Sequence, residues 1–264
     1  MTKRITISTL DAMKASGDKF VMITAYDATF ARLASEAGAE TILVGDSLGM
    51  VLQGHETTIP VSLDAMAYHT ECVARARPHS LIVSDLPFMT YSSPDVALTA
   101  SMELMQKGAQ MVKLEGGTWL SETIHQLVQR GIPVCAHLGL TPQSVNVFGG
   151  YRVMGRTPKE AKSILADAVE IQDAGASIVL LECVPEDLAA DISSKLDIPV
   201  IGIGAGAGTD AQVLVLHDLL GLTEKPAKFV ENFMASADTV QDAISAFVTA
   251  VKDGSYPQAQ HTYR

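Results

Sequence analysis

Four carboxylic acids, Asp46, Asp85, Glu115 and Glu182, stand at the carboxyl ends of short apolar runs. Runs of that kind read as buried strands, and in barrel enzymes the carboxyl rim of the strands carries the chemistry. A single acid so placed caps the next helix or faces water. Four that converge on one rim repel each other unless a proton or a cation intervenes. No clustered Cys or His accompanies them, so oxygen ligation of a hard cation such as Mg²⁺ is the expected resolution. Lys113 lies two residues before Glu115, which puts both side chains on one face of a strand. It is either one half of a structural ion pair, a cation for a substrate carboxylate, or a Schiff-base amine. His137, near the end of the fifth run, is either a satisfied core histidine or a donor to a bound carbonyl oxygen.

Three loops adjoin these residues. Gly45-Asp46-Ser47-Leu48-Gly49-Met50 opens a connection running to Pro60, longer than barrel loops usually are, and Ser47 there offers a hydroxyl and an amide to an anion. The stretch from His137-Leu138-Gly139-Leu140-Thr141-Pro142-Gln143 to Tyr151 is also long and punctuated, as suits a lid or wall. Gly202-Ile203-Gly204-Ala205-Gly206-Ala207-Gly208 resembles a phosphate loop, but it lacks the lysine and the acid that such loops use, so it reads as a tight turn.

The elements that must position these side chains alternate regularly. Apolar runs occupy Phe20–Tyr26, Thr41–Val44, Leu81–Ser84, Met111–Leu114, Val134–Leu138, Ile178–Leu181, Val200–Ile203 and Val213–Leu216. Amphipathic stretches fall at Ala28–Ala37, Leu63–Arg75, Pro94–Lys107, Leu120–Arg130, Lys159–Ala174 and Glu186–Leu196, with further helical segments expected around Phe229–Met234 and Thr239–Lys252. Three times a helix pattern ends in Gly-Ala and the following strand in an acid: Gly38-Ala39 to Asp46, Gly108-Ala109 to Glu115, Gly175-Ala176 to Glu182. Eight strand–helix units predict an α/β fold, a (β/α)8 TIM barrel, with an open doubly wound sheet as the competitor. The expected domain is a single one over residues 1–264, with a short N-terminal helical segment.

Composition narrows the function. With 19 Lys+Arg against 30 Asp+Glu, the net charge of −11 argues against nucleic acid or an anionic membrane as partner. It leaves room for a small anionic ligand held by a local lysine or metal. Cys72, Cys135 and Cys183 are sparse and unpaired by spacing, as in a reducing cytoplasm. No secretory leader or membrane-length apolar stretch is evident, so a soluble cytoplasmic protein is expected.

In this setting the sequence resembles the ketopantoate hydroxymethyltransferase family of the phosphoenolpyruvate/pyruvate barrel superfamily. The resemblance runs through Ile23-Thr24-Ala25-Tyr26-Asp27, Val44-Gly45-Asp46-Ser47-Leu48-Gly49 and Ser84-Asp85-Leu86-Pro87-Phe88-Met89. It continues through Val112-Lys113-Leu114-Glu115-Gly116-Gly117, His137–Gln143, Leu181-Glu182 and Ile201–Gly206, and so covers nearly the whole chain. It departs at Cys135-Ala136, where glycine is expected beside the histidine, and at Thr223–Lys228, which is short for the family. The resemblance implies transfer of a hydroxymethyl group from 5,10-methylenetetrahydrofolate to 3-methyl-2-oxobutanoate, giving 2-dehydropantoate for pantothenate synthesis. It implies Mg²⁺ bound by Asp46 and Asp85 and completed by Glu115, with Glu182 as proton acceptor. It places Asp46, Ser47, Asp85, Lys113 and His137 around the 2-oxoacid, and suggests a homodecamer.

Other chemistries reuse the same residues. A Mg²⁺-dependent 2-oxoacid lyase or phosphonomutase-like enzyme would need Asp46, Asp85 and Glu115, usually with a reactive cysteine on a mobile loop. A class I aldolase would use Lys113 as its amine and survive EDTA. A non-catalytic 2-oxoacid sensor would bind ligand and leave its C3 proton in place.

Overall fold

The computed structural model describes residues 4–264. Eight parallel strands close on themselves: β1 (Phe20–Thr24), β2 (Thr41–Val44), β3 (Leu81–Asp85), β4 (Met111–Glu115), β5 (Val134–Gly139), β6 (Ile178–Glu182), β7 (Val200–Ile203) and β8 (Ala211–Val215). Each pairs with the next, and β8 returns to β1 through Phe20↔Ala211 to Thr24↔Val215. The strands are buried on both faces, by the barrel interior and by the outer helices, which is why they read as near-continuous Val/Ile/Leu runs. This is the (β/α)8 barrel expected from the alternation.

The helices begin where the sequence supplies caps. Asp27, Ser62, Ser93, Thr157 and Thr239 each accept a hydrogen bond from the backbone amide three residues on. They end where glycine permits it. In the three Gly-Ala repeats, the alanine amide reaches back five residues, Ala39 to Ala34, Ala109 to Leu104 and Ala176 to Ile171, closing a Schellman motif. Gly108 shows why glycine is needed: its φ is 111°, and a Cβ there would come within 2.4 Å of Ala74 Cβ. The repeated motif therefore sets the entry of β2, β4 and β6, whose far ends carry Asp46, Glu115 and Glu182.

The N-terminal helix Ile7–Ser16 lies at the amino end of the barrel, where Lys14 pairs with Asp210 at 2.7 Å just ahead of β8. Two expectations require correction. Phe229–Met234 is not helical; a 3-10 turn occupies Phe233–Ser236, capped by Asn232, and Phe233 packs on Phe247 and Tyr256. The last strand starts at Ala211, two residues earlier than the apolar run, because buried Gln212 satisfies its amide on Gly206 O and Thr209 Oγ1. Those bonds also occupy the interior of the Gly202–Gly208 segment, a tight turn between β7 and β8 as expected.

Candidate active site

Strand register brings the polar residues together. β3 and β4 align Asp85 with Lys113, β4 and β5 align Glu115 with His137, and β5 and β6 align Gly139 with Glu182. The resulting contacts form a row of alternating charge along the carboxyl rim. Lys113 Nζ is 2.6 Å from Asp85 Oδ1 and 3.9 Å from Glu115 Oε1. His137 Nδ1 is 3.2 Å from Glu115 Oε1, and its Nε2 is 3.3 Å from Glu182 Oε2. Asp46 joins from the β2 loop, its backbone amide donating to Asp85 Oδ2 at 2.9 Å. Ser47 Oγ is 2.9 Å from the Tyr26 hydroxyl. All seven residues singled out in the sequence, Asp46, Ser47, Asp85, Lys113, Glu115, His137 and Glu182, line one cavity of about 60 Å³.

The charges are unevenly compensated. Burial, then Asp85 and Glu115, push the Asp46 carboxyl well above the carboxylate range, against weaker pulls from Lys113 and the Gln143 amide. Burial also raises Asp85, although Lys113 opposes it. Glu115 resists burial and stays below its usual value, because the His137 imidazole stands 3.2 Å from its Oε1 and Lys113 lies near. Burial alone would lower Lys113, but Asp85, Glu115 and Asp46 together hold it above the ordinary lysine value. For His137, burial and Lys113 are outweighed by Glu115 and Glu182, which bring it up to about 9. The imidazole is therefore charged near neutrality, and its Nδ1–H faces Glu115 rather than Lys113 Nζ, 3.4 Å away.

This arrangement fits a hard divalent cation. Asp85 Oδ1 and Glu115 Oε1 are buried without an aligned hydrogen-bond donor, even though cationic groups stand close by. Such atoms are rare in native interiors and call for a partner. Among the described residues, no three acids or histidines close on one point as a finished cage. Mg²⁺ takes one or two protein carboxylates and fills its other positions with substrate and water, so its site does not require such a cage.

A larger cavity of about 400 Å³ opens beside the first and shares Pro142 and Glu182 with it. Its walls include Met50, Tyr151, Phe229 and Tyr263, with Arg152 also lining it. Glu182 thus sits at the junction, its side chain 18% exposed while Glu115 and Asp85 are nearly sealed. Immediately after it, Cys183 adopts a φ of 48°, a conformation that costs about 1 kcal/mol or more outside glycine. The backbone is held there by Cys183 N–H to Ile203 O and Met154 N–H to Cys183 O, both 2.9 Å.

Two of the competing chemistries lose support. A lysine held protonated against Asp85 is a poor Schiff-base nucleophile. Cys183 is buried with its thiol pushed upward by burial, unlike a reactive cysteine on a loop. Three contributors had escaped notice as individual residues: Gln143, Tyr91 and Tyr26. Gln143 belongs to a segment that reads as a lid or wall and as part of a family motif, and nothing about a neutral amide or phenol in the sequence signals contact with buried carboxylates.

Comparison with known proteins agrees with this geometry. Residues 4–259 match the model of a family described as ketopantoate hydroxymethyltransferase. The chain is 56% identical over 261 residues to 3-methyl-2-oxobutanoate hydroxymethyltransferase 2 of Pseudomonas entomophila (strain L48), covering 98% of each chain. It is 55% identical over 262 residues to 3-methyl-2-oxobutanoate hydroxymethyltransferase of Marinobacter nauticus, covering 98% of this chain and 99% of that one. Among solved structures, phosphonopyruvate hydrolase in complex with oxalate and Mg²⁺ superposes with a TM-score of 0.61 at 12% identity, over 97% of this chain and 93% of that one. That likeness is one of fold. The full-length identities, together with a rim that gathers every expected polar residue, make this chain a member of the ketopantoate hydroxymethyltransferase family.

Proposed function

We propose that the protein is a 3-methyl-2-oxobutanoate hydroxymethyltransferase that moves a one-carbon unit from 5,10-methylenetetrahydrofolate onto C3 of the oxoacid, yielding 2-dehydropantoate for pantothenate synthesis. The observation that carries this reading is the position of Glu182, at the junction of a small charged cavity and a larger, mostly apolar one. A reaction that joins a small anionic acceptor to a bulky donor needs its base where the two meet.

The small cavity suits a 2-oxoacid. Lys113, Ser47 and His137 supply donors for its carboxylate and keto oxygens, and Asp46, Asp85 and Glu115 supply the oxygens that would hold Mg²⁺. Bound there, Mg²⁺ would act as a Lewis acid, stabilising negative charge on the keto oxygen as the C3 proton leaves. A superposable hydrolase was solved with oxalate and Mg²⁺, which supports this choice of ion. Glu182 accepts the C3 proton and is oriented by His137 at 3.3 Å. The nucleophilic C3 then attacks the methylene carbon once one of its two C–N bonds to the folate has opened to an iminium; water replaces the remaining folate nitrogen, supplies the hydroxyl oxygen and releases tetrahydrofolate. The donor is presented from the larger cavity, whose aromatic walls, Tyr151, Phe229 and Tyr263, suit a flat heteroaromatic ring.

Proton NMR of 3-methyl-2-oxobutanoate in D₂O tests the first half. The expected result is loss of the C3 proton that depends on protein and Mg²⁺ and stops with EDTA. Addition of methylenetetrahydrofolate should then give 2-dehydropantoate. No exchange above the buffer rate, with or without the folate, overturns the reading.

A further inference from the structure

Gln143 touches two members of the carboxylate cluster, as many as Lys113 or His137 does. It lies in the 3-10 turn Pro142–Ser144 after β5 and is buried. Its backbone N–H donates to Glu115 Oε2 at 2.9 Å. Its side-chain Nε2 donates to Asp46 Oδ2 at 2.8 Å and to Leu86 O at 3.0 Å. Its Oε1 accepts from the Tyr91 hydroxyl at 2.5 Å. The amide has one permissible orientation, because the Leu86 carbonyl can only accept and so requires the NH₂ group on that side. Tyr91 must then be the donor on the other side. Its ring lies near-parallel to Trp119, centroids 6.2 Å apart, so the phenol is anchored outside the charged cavity.

The consequence is a division of labour within each carboxylate. Gln143 occupies one oxygen of Asp46 and one of Glu115, and the other Glu115 oxygen, Oε1, has no aligned donor, only His137 Nδ1 at 3.2 Å and Lys113 Nζ at 3.9 Å. Fixing one oxygen of a carboxylate fixes the direction of the other, which is how hydrogen-bonded neighbours tune metal ligands. Glu115 is reached through a main-chain amide, and any residue at position 143 other than proline could provide that. Asp46 is reached only through the side chain, so the identity of Gln143 matters for Asp46.

We infer that Gln143, pinned by Tyr91, is a positioning residue that aims Asp46 and Glu115 at the divalent cation. This rests on the metal reading given under Proposed function. The test measures Mn²⁺ binding by electron paramagnetic resonance, without substrate, in the wild type, Gln143→Met and Tyr91→Phe. Methionine keeps the length and burial of the side chain and the main-chain bond to Glu115, but removes the bond to Asp46. The expected loss of Mn²⁺ affinity is roughly 10- to 100-fold for Gln143→Met and smaller, in the same direction, for Tyr91→Phe. Turnover of Gln143→Met should recover toward the wild-type kcat as Mg²⁺ is raised, which a general packing defect would not do. Wild-type binding with unchanged affinity in both variants overturns the positioning role alone. If Gln143→Met does not fold, unchanged affinity in Tyr91→Phe is sufficient to overturn it. A wild type that binds no Mn²⁺ overturns the metal reading and this inference with it.

Discussion

The two ends of the barrel handle buried charge in opposite ways. At the amino end, Asp210 Oδ2 accepts from Lys14 Nζ at 2.7 Å, Ser193 Oγ at 3.1 Å and Val200 N–H at 2.8 Å. Glu40 divides its oxygens between Lys252 Nζ at 2.6 Å and Val21 N–H at 2.9 Å. Each acid there has a cation of its own and a strand amide to hold. At the carboxyl rim, Asp46, Asp85, Glu115 and Glu182 share Lys113 and His137, and buried oxygen and nitrogen atoms go without partners. The amino end is finished by the fold alone. Under the proposed function a bound ligand would complete the rim, and stability and function would then fall at different ends of the same strands.

The sharpest way to probe the rim is at Glu182, its proposed base. Glu182→Gln keeps the shape of the side chain and removes its capacity to accept a proton. The expected outcome is a loss of C3 proton exchange and turnover on the order of 10²–10⁴-fold, with oxoacid and Mg²⁺ binding largely retained. Normal turnover would remove Glu182 as the base and leave the rim's other acids to explain the chemistry.

A paired comparison tests the contrast itself. Asp46→Asn relieves one poorly compensated buried charge, while an amide oxygen can still accept from Gln143. Turnover should fall by more than about 100-fold, beyond the usual effect of an outer-shell change. The metal-free Tm should nevertheless stay constant or rise, because repulsion from Asp85 and Glu115 is removed. Asp210→Ala should do the reverse. It strands Lys14 and the Val200 amide at a cost of about 2 kcal/mol, hence a Tm lower by roughly 4–8 °C, with kcat/KM unchanged. Scanning calorimetry and steady-state rates decide both. A similar fall in Tm for the two variants would erase the distinction between the ends.

Much of this division was legible in the chain, for identifiable reasons. β3, β4 and β6 end on Asp85, Glu115 and Glu182, and an acid that terminates a Val/Ile/Leu run is conspicuous because burial makes the rest of the run apolar. The glycines at 38, 108 and 175 announced helix ends, since positive φ is local and sequence-specific. Phe229–Met234 misled because Phe229 and Phe233 have helical spacing, yet Phe233 is placed by packing against Phe247 and Tyr256, distant in sequence. Gln143 was opaque for a different reason. Its importance comes from acceptors on three other segments, Asp46, Leu86 and Glu115, and a neutral amide carries no charge to betray them.

The smallest predicted effect concerns another incompletely satisfied rim group. His217 follows β8, packs against the Tyr26 ring with centroids 5.8 Å apart, and leaves Nδ1 buried without a partner. Burial lowers its pKa from the ordinary histidine value, although Asp218 and Asp27 pull upward. The unfolded chain therefore takes up a proton near about pH 6.5, whereas the folded protein does so only at lower pH. The stabilising contribution of the neutral ring is present above that value and is lost as pH falls through the folded pKa. His217→Gln should thus flatten the decline in Tm between about pH 7 and about pH 5, modestly because the ring is only half-buried and solvent screens it. If the wild-type and His217→Gln curves run parallel, burial does not hold this ring neutral, and the pH dependence of stability lies with other groups.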